Sequence, residues 1–244
     1  MKYLQASLVA SLATTLATSY VAADDNTATW KGDVEFGYYQ QEGNSDESSM
    51  IGKTSGKRVN QKWTYDLAFE GQNTESAGVR SAERYFFNNR LAYDFSEFNY
   101  SFGYASIDKD RFSGFVYQAT FAAGYGRRLL KRKGMTWDAE VGPGFRVMEF
   151  SEPSDAGDGK VSEAILRLAS EFTVDVSDNA IFSQQVTVEG GKENTVSKSV
   201  TALKTKISGG LGLKVSYTLE YNETVPNSSV HMDKQTAVTV VYSF

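Results

Sequence analysis

The chain has no cysteine, one histidine and three prolines. It also has no apolar run near the 20 or so residues that a membrane-spanning helix needs. Without cysteine there is no disulfide, thiolate zinc site, iron–sulfur cluster or Cys nucleophile. One histidine cannot build a multi-histidine metal centre, so the sequence calls for no metal and no cofactor. Neither charge sign dominates: the formal net charge is −5, which argues against nucleic acid as a partner. Aromatics, by contrast, are plentiful at 13%, with 14 Tyr and 15 Phe in 244 residues, too many for a disordered chain. The mean hydropathy of −0.39, taken alone, describes a water-soluble protein.

Residues 1–23 read as a targeting segment. Lys2 gives a positive start, small and apolar residues run from Tyr3 to Tyr20, and Val21-Ala22-Ala23 precede Asp24-Asp25. This is the pattern of a secretory signal peptide, and no lipobox cysteine accompanies it. The expectation is a signal peptide over 1–23 and one domain over 24–244.

The remaining chain alternates with period two. Trp30, Gly32, Val34, Phe36 and Tyr38 interleave with Lys31, Asp33, Glu35 and Gly37. Trp63, Tyr65, Leu67 and Phe69 interleave with Thr64, Asp66, Ala68 and Glu70, and Leu211 to Tyr221 behaves likewise. Each such strand has one apolar and one polar face. The pattern predicts strands near 29–39, 48–58, 62–73, 83–94, 98–107, 115–127, 135–148, 161–174, 180–189, 196–207, 211–222 and 235–244. Most approach or exceed the roughly 9–11 residues a tilted strand needs to cross a bilayer. The fold class is therefore all-β: a transmembrane antiparallel up-and-down barrel of about twelve strands.

Connections near 40–47, 74–82, 108–114, 149–160, 190–195 and 223–234 read as long polar loops. Those near 59–61, 95–97, 128–134, 175–179 and 208–210 read as mostly shorter turns. Outer-membrane barrels keep short turns on the periplasmic side, which an even strand count shares with both termini. Trp30, Trp63 and Trp137 begin odd-numbered strands on the apolar face, and Tyr242 and Phe244 end the twelfth, even-numbered strand. Together they predict an aromatic girdle at one interface. The closing Thr236, Val238, Val240, Tyr242 and Phe244 resemble the signal read by the barrel-assembly machinery, an expected partner alongside outer-membrane lipid and lipopolysaccharide.

Several short motifs in fixed order carry a family resemblance. They are Trp30-Lys31-Gly32, Gly43-Asn44-Ser45, Asp108-Lys109-Asp110-Arg111-Phe112-Ser113-Gly114, Gly124-Tyr125-Gly126, Leu213-Lys214-Val215-Ser216-Tyr217 and Val241-Tyr242-Ser243-Phe244. On these the chain resembles the bacterial salt-induced outer membrane proteins, a family of unassigned function. The resemblance implies an outer-membrane location and an association with salt stress, and it transfers no catalytic residues.

The chemistry available is limited. His231, beside Ser228, Ser229 and Asp233, is the sole candidate base for a hydrolase, and a solvated loop histidine is the simpler reading. Ser154-Asp155-Ala156-Gly157-Asp158-Gly159 lacks the ligand spacing of an EF-hand and reads as an acidic loop. Arg127, Arg128, Lys131, Arg132 and Lys133 read as a basic turn, able to meet anionic headgroups or a periplasmic partner. The polar parity assigns sixteen charged residues to the lumen: Lys31, Asp33, Glu35, Lys53, Lys57, Asp66, Glu70, Arg84, Arg90, Asp138, Glu140, Arg146, Arg167, Glu171, Lys214 and Glu220, with Glu189 beside them. Lys198 and Lys204 resist placement because their strand alternates poorly. Gly37, Gly103, Gly124, Gly126, Gly142, Gly144 and Gly212 are also read as inward, leaving space.

The sequence thus predicts a monomeric, non-enzymatic outer-membrane barrel, serving as a small passive channel for ions or polar solutes in salt or osmotic adaptation. A closed barrel supporting the envelope is the alternative, with an outer-membrane hydrolase and a soluble ligand-binding barrel behind it. About eight strands give a filled interior and about sixteen an open pore, so twelve does not decide between channel and plug.

Overall fold

A computed structural model describes residues 29–41, 47–111, 115–150, 159–225 and 231–244. The segment 1–23, Phe112, Ser228, Ser229 and most of the acidic loop, Ser154–Asp158, lie outside them. Twelve antiparallel strands follow one another: β1 (Trp30–Gln41), β2 (Glu47–Asn60), β3 (Trp63–Ser76), β4 (Val79–Asp94), β5 (Asn99–Asp110), β6 (Phe115–Arg132), β7 (Met135–Phe150), β8 (Lys160–Ser177), β9 (Ala180–Gly191), β10 (Thr195–Ser208), β11 (Leu211–Asn222) and β12 (Met232–Ser243). Each pairs with its sequence neighbours, and β1 pairs with β12 to close the barrel. Closure satisfies backbone donors and acceptors that an open sheet would leave at its edges. The closing seam has the shortest register, from Asp33↔Ser243 to Phe36↔Val240, extended by mutual backbone bonds between Gly32 and Phe244.

The period-two pattern places apolar side chains outside. Val34 is 48% exposed while Glu35 is 6%, and Val240 is 53% exposed while Val241 is fully buried. A soluble barrel would reverse this; an apolar exterior around a charged interior is the membrane arrangement. Trp30, Trp63, Trp137, Tyr242 and Phe244 are all exposed. Trp63 packs on Tyr93 at 4.9 Å between ring centroids, Trp30 meets Tyr65 edge-on at 5.7 Å, and Trp137 Nε1 donates to Ser170 Oγ at 2.9 Å.

Three expectations need correction. The loop read near 74–82 is a two-residue hairpin turn, Ala77-Gly78, with φ of 50° and 76°. Both residues adopt the left-handed region that such turns require, and the polar strand ends around them carry no alternation to read. The basic segment 128–134 is mostly strand: β6 runs to Arg132, and only Lys133-Gly134 turns, with Gly134 at φ 71°. A bulge between Arg128 and Leu130 breaks the parity there.

The third correction concerns β5. Gly103 faces outward, because Tyr100 (1% exposed), Phe102 (4%) and Tyr104 turn into the barrel. Tyr100 pairs with Gly126 and Phe102 with Gly124 on β6. A Cβ at Gly126 would overlap the Tyr100 ring, so this glycine is required where an aromatic lies flat on the neighbouring strand. Gly126→Val is expected to cost about 1–3 kcal/mol through overpacking. Urea unfolding from lipid vesicles should show the loss, and a Tyr100→Ala background should remove most of it. An equal cost in both backgrounds would refute the packing account.

Candidate functional site: the barrel lumen

Charged side chains from most strands meet inside the barrel. Lys53 pairs with Glu70 at 3.0 Å and Lys57 with Asp66 at 3.6 Å, both between adjacent strands. Some contacts reach beyond the adjacent strand, and others join them. Lys204 on β10 donates to Asp33 on β1 at 2.9 Å, and Ser243 Oγ donates to the same carboxylate at 2.6 Å. Lys214 on β11 reaches Glu35 on β1 at 2.7 Å, where Thr239 also donates. Arg90 on β4 binds Asp66 at 2.7 Å and Glu140 on β7 at 2.5 Å. The second oxygen of Glu140 takes Arg167 of β8 at 3.2 Å.

One set of contacts crosses the interior. Arg84 on β4 bonds Asp108 on β5 and reaches Glu220 on β11 at 3.0 Å. The shorter path from β4 to β11 runs through β3, β2, β1 and β12, almost half the circumference. Lys198 on β10 joins Glu220 at 3.4 Å and lies over the Phe86 ring of β4 at 5.1 Å. Strands β4 and β10 stand opposite in the closed order. Nearby, Gln235 on β12 donates to Gln72 on β3 at 2.6 Å. Side chains from facing walls therefore touch at this level.

The two sides of the interior differ in packing. Between β5 and β9, Arg146, Glu163 and Arg167 keep side-chain exposures of only 1, 3 and 6%. Arg146 binds Glu163 at 2.5 and 3.0 Å and also bonds the carbonyl of Asn194, itself 2% exposed. Glu163 accepts the Glu193 amide at 2.7 Å, which ties the β9–β10 turn inward. Arg167 lies over Tyr104 at 4.1 Å, and Arg90 and Arg128 lie over Tyr100 at 5.3 and 5.1 Å. Guanidiniums stacked on aromatic faces fill this side. On the opposite wall Lys53, Asp66, Lys204 and Lys214 retain 18, 24, 29 and 24% exposure, although Glu35 there is buried, and Asp108 on β5 and Glu189 on β9 stay about as open as Lys53.

Of the sixteen charged residues expected inside, thirteen take part in the pairs above. Lys31 and Glu171 are exposed side chains near the turn end. Asp138 pairs in register with Glu171, and its Oδ1 is buried without a hydrogen-bond partner. Glu189 accepts from Thr120 at 3.1 Å and lies 3.6 Å from Arg167. Sequence reasoning missed Asp108, Glu163, Lys198, Lys204 and the inward aromatics. The strand of Lys198 and Lys204 alternates poorly because its outer face carries Ser197, Ser199, Thr201 and Thr205. Gln184 on the neighbouring strand satisfies two of these hydroxyls, accepting from Thr201 at 2.5 Å and donating to Ser199 at 2.9 Å. A polar outer face hides the period. The glycines at 124, 126, 142 and 144 were a signal of close approach: Gly126 lies under the Tyr100 ring, while Gly124 and Gly142 bring the backbones of β6 and β7 together.

His231 Nδ1 lies 2.9 Å from the Asn222 carbonyl, and its ring stacks on Tyr221 at 6.1 Å. No Ser–His–acid arrangement forms among the described residues, and no cluster there has the makings of a metal site.

Residues 34–244 match the family described as "Protein of unknown function, DUF481". The chain belongs to that family. The sequence resemblance to an outer-membrane family of unassigned function is thereby borne out. This DUF481 protein is 29% identical over 234 residues to the "Uncharacterized protein YdiY" of Escherichia coli (strain K12), covering 91% of this chain and 90% of that one. Among solved structures it is similar to the NanC porin, with a TM-score of 0.55 and 10% identity over 86% of this chain and 98% of the porin. An outer membrane channel of Pseudomonas putida F1 gives a TM-score of 0.50 and 11% identity, covering 92% and 100%. At such identities the likeness is one of fold: the DUF481 chain has the closed barrel of outer-membrane proteins.

Proposed function

We propose that this DUF481 protein is a monomeric outer-membrane channel that passes ions or small polar solutes along the wet wall of its lumen, in salt or osmotic adaptation. The carrying observation is the uneven interior. Paired charges on the wall of β1–β4 and β10–β11, Glu35 excepted, keep partial solvent access, while those of β7 and β8 (Glu140, Arg146, Glu163 and Arg167) are buried against stacked aromatics. A barrel built only for strength has no need of accessible charge along one wall. Both signs line the path in pairs, which supports weak selectivity. The Arg84–Glu220–Lys198 crossing is its constriction. Both termini lie on the periplasmic side in this reading, residues 1–23 direct export, and the C-terminal strand serves the barrel-assembly machinery.

Purified protein in planar bilayers is expected to give small, discrete conductance steps. Silence in samples whose folding is verified by heat-shifted gel mobility would overturn the channel reading. It would favour a closed, envelope-supporting barrel, for which the crossing itself is the specific observation.

A further inference from the structure

The turn end of β6 carries cations that the lumen does not use. Arg128 points inward and binds Asp94 at 2.8 Å, and Lys131 lies 3.6 Å from Glu97. Arg127 differs. It pairs in register with Asn99 of β5 and Ala139 of β7, on the same parity as Tyr125 and Val141, which are 43 and 42% exposed. That parity is the lipid-facing one. Arg132, opposite Met135, and Lys133 of the turn are exposed beyond it. Among the described residues none of these three has an ion-pair partner. Their surroundings are apolar and aromatic: Phe95 packs on Tyr125 at 6.1 Å, and Leu129 and Trp137 are 48 and 43% exposed.

A cation on the outer face is costly at the bilayer midplane and nearly free at the interface. Beside an aromatic belt, it meets the phosphate level of the headgroups. Arginine's planar fork suits a phosphate in bidentate fashion, and the adjoining rings offer a bed for the acyl chain. The Asp175 carboxylate beside Gly134 offsets part of the charge of the three cations, and the hairpin remains net positive, which favours a lipid of net negative charge over a zwitterionic one.

We infer that the β6–β7 hairpin, through Arg127, Arg132 and Lys133, is a binding site for the headgroup of an anionic phospholipid in the leaflet at the turn end. The site rests on the membrane reading above and adds to it a lipid class. Occupancy anchors the hairpin of two of the longest strands against that leaflet.

The test is thermal melting of the detergent-solubilised full chain titrated with phosphatidylglycerol, phosphatidylcholine, lipopolysaccharide or inorganic phosphate. Phosphatidylglycerol is expected to raise the melting temperature saturably, and the others to do so weakly or not at all. The triple variant Arg127→Gln, Arg132→Gln, Lys133→Gln should bind phosphatidylglycerol on the order of 100-fold more weakly, the combined effect of three basic residues at a charged surface. Lys160→Gln, at the loop end, should leave binding intact. Should the triple variant not fold, the single Arg127→Gln and the wild-type headgroup comparison decide. Equal responses to phosphatidylglycerol and phosphatidylcholine, a preference for lipopolysaccharide or free phosphate, or an unchanged affinity in the folded variant would each overturn the site. A chain that fractionates as soluble protein would instead remove the membrane reading beneath it.

Discussion

Arg84→Ala is expected to raise single-channel conductance severalfold and to make the pore cation-selective. Arg84 supplies the reach from β4 to Glu220 on β11, and no other described cation on β4 makes that crossing. Truncation to a methyl group removes the bulk from the constriction. It also changes the local charge. Arg84 and Lys198 face Asp108, Glu220 and the register partner of Glu220, Asp233, so losing Arg84 adds one further uncompensated negative charge at the narrowest level. Cations then concentrate there and anions are repelled. The reversal potential across a salt gradient reads this sign directly. Glu220→Gln should shift selectivity the other way, toward anions relative to the native protein, because it removes one of the acids facing Arg84 and Lys198. Both variants conducting like wild type would remove the crossing as the constriction.

Arg146→Ala is expected to destabilise the barrel by about 3–5 kcal/mol, the range for breaking a buried ion pair by removing one partner. Glu163 would be left buried without its guanidinium, and the carbonyl of Asn194 would lose its donor. The β9–β10 turn should loosen with it, since the same network holds Glu193, Asn194 and Thr224. Urea unfolding from vesicles gives the magnitude. Lys131→Ala is the matched control: its pair with Glu97 is exposed at 49 and 66%, and such surface pairs contribute about 0–1 kcal/mol. A small effect at Arg146, similar to that of Lys131, would show that the sealed side is not held by this pair.

The legible part of the fold came through parity. Along β11 and the central parts of β1, β3 and β12 the outer face is mostly Val, Leu, Tyr, Phe or Trp while the inner face is mostly charged, polar or small, and twelve alternating segments with a closing aromatic strand sufficed to read a barrel. Strand 5 defeated the same rule, because its aromatics, Tyr100, Phe102 and Tyr104, face inward. Parity identifies two faces, and which one faces lipid depends on what the neighbours provide. Here the neighbours are glycines on β6 and arginines on β4 and β8. Strand 10 defeated it differently, with hydroxyls on the outer face that hide the period. Charge near a turn misled at β6, where basic residues lie on an extended strand rather than in a connection.

The sequence by itself determined the class of molecule, the strand number and most of the charged residues that meet inside, since these follow from local alternation. Which charges meet was decided only by closure of the sheet. Arg84 and Glu220 are 136 positions apart in the chain, and nothing in either strand's pattern points to the other. Their encounter depends on the barrel's circumference, the stagger of its strands and the packing that fills one side of the lumen. The mean hydropathy of −0.39 averages over the two faces, and closure turns one toward lipid and the other toward the interior.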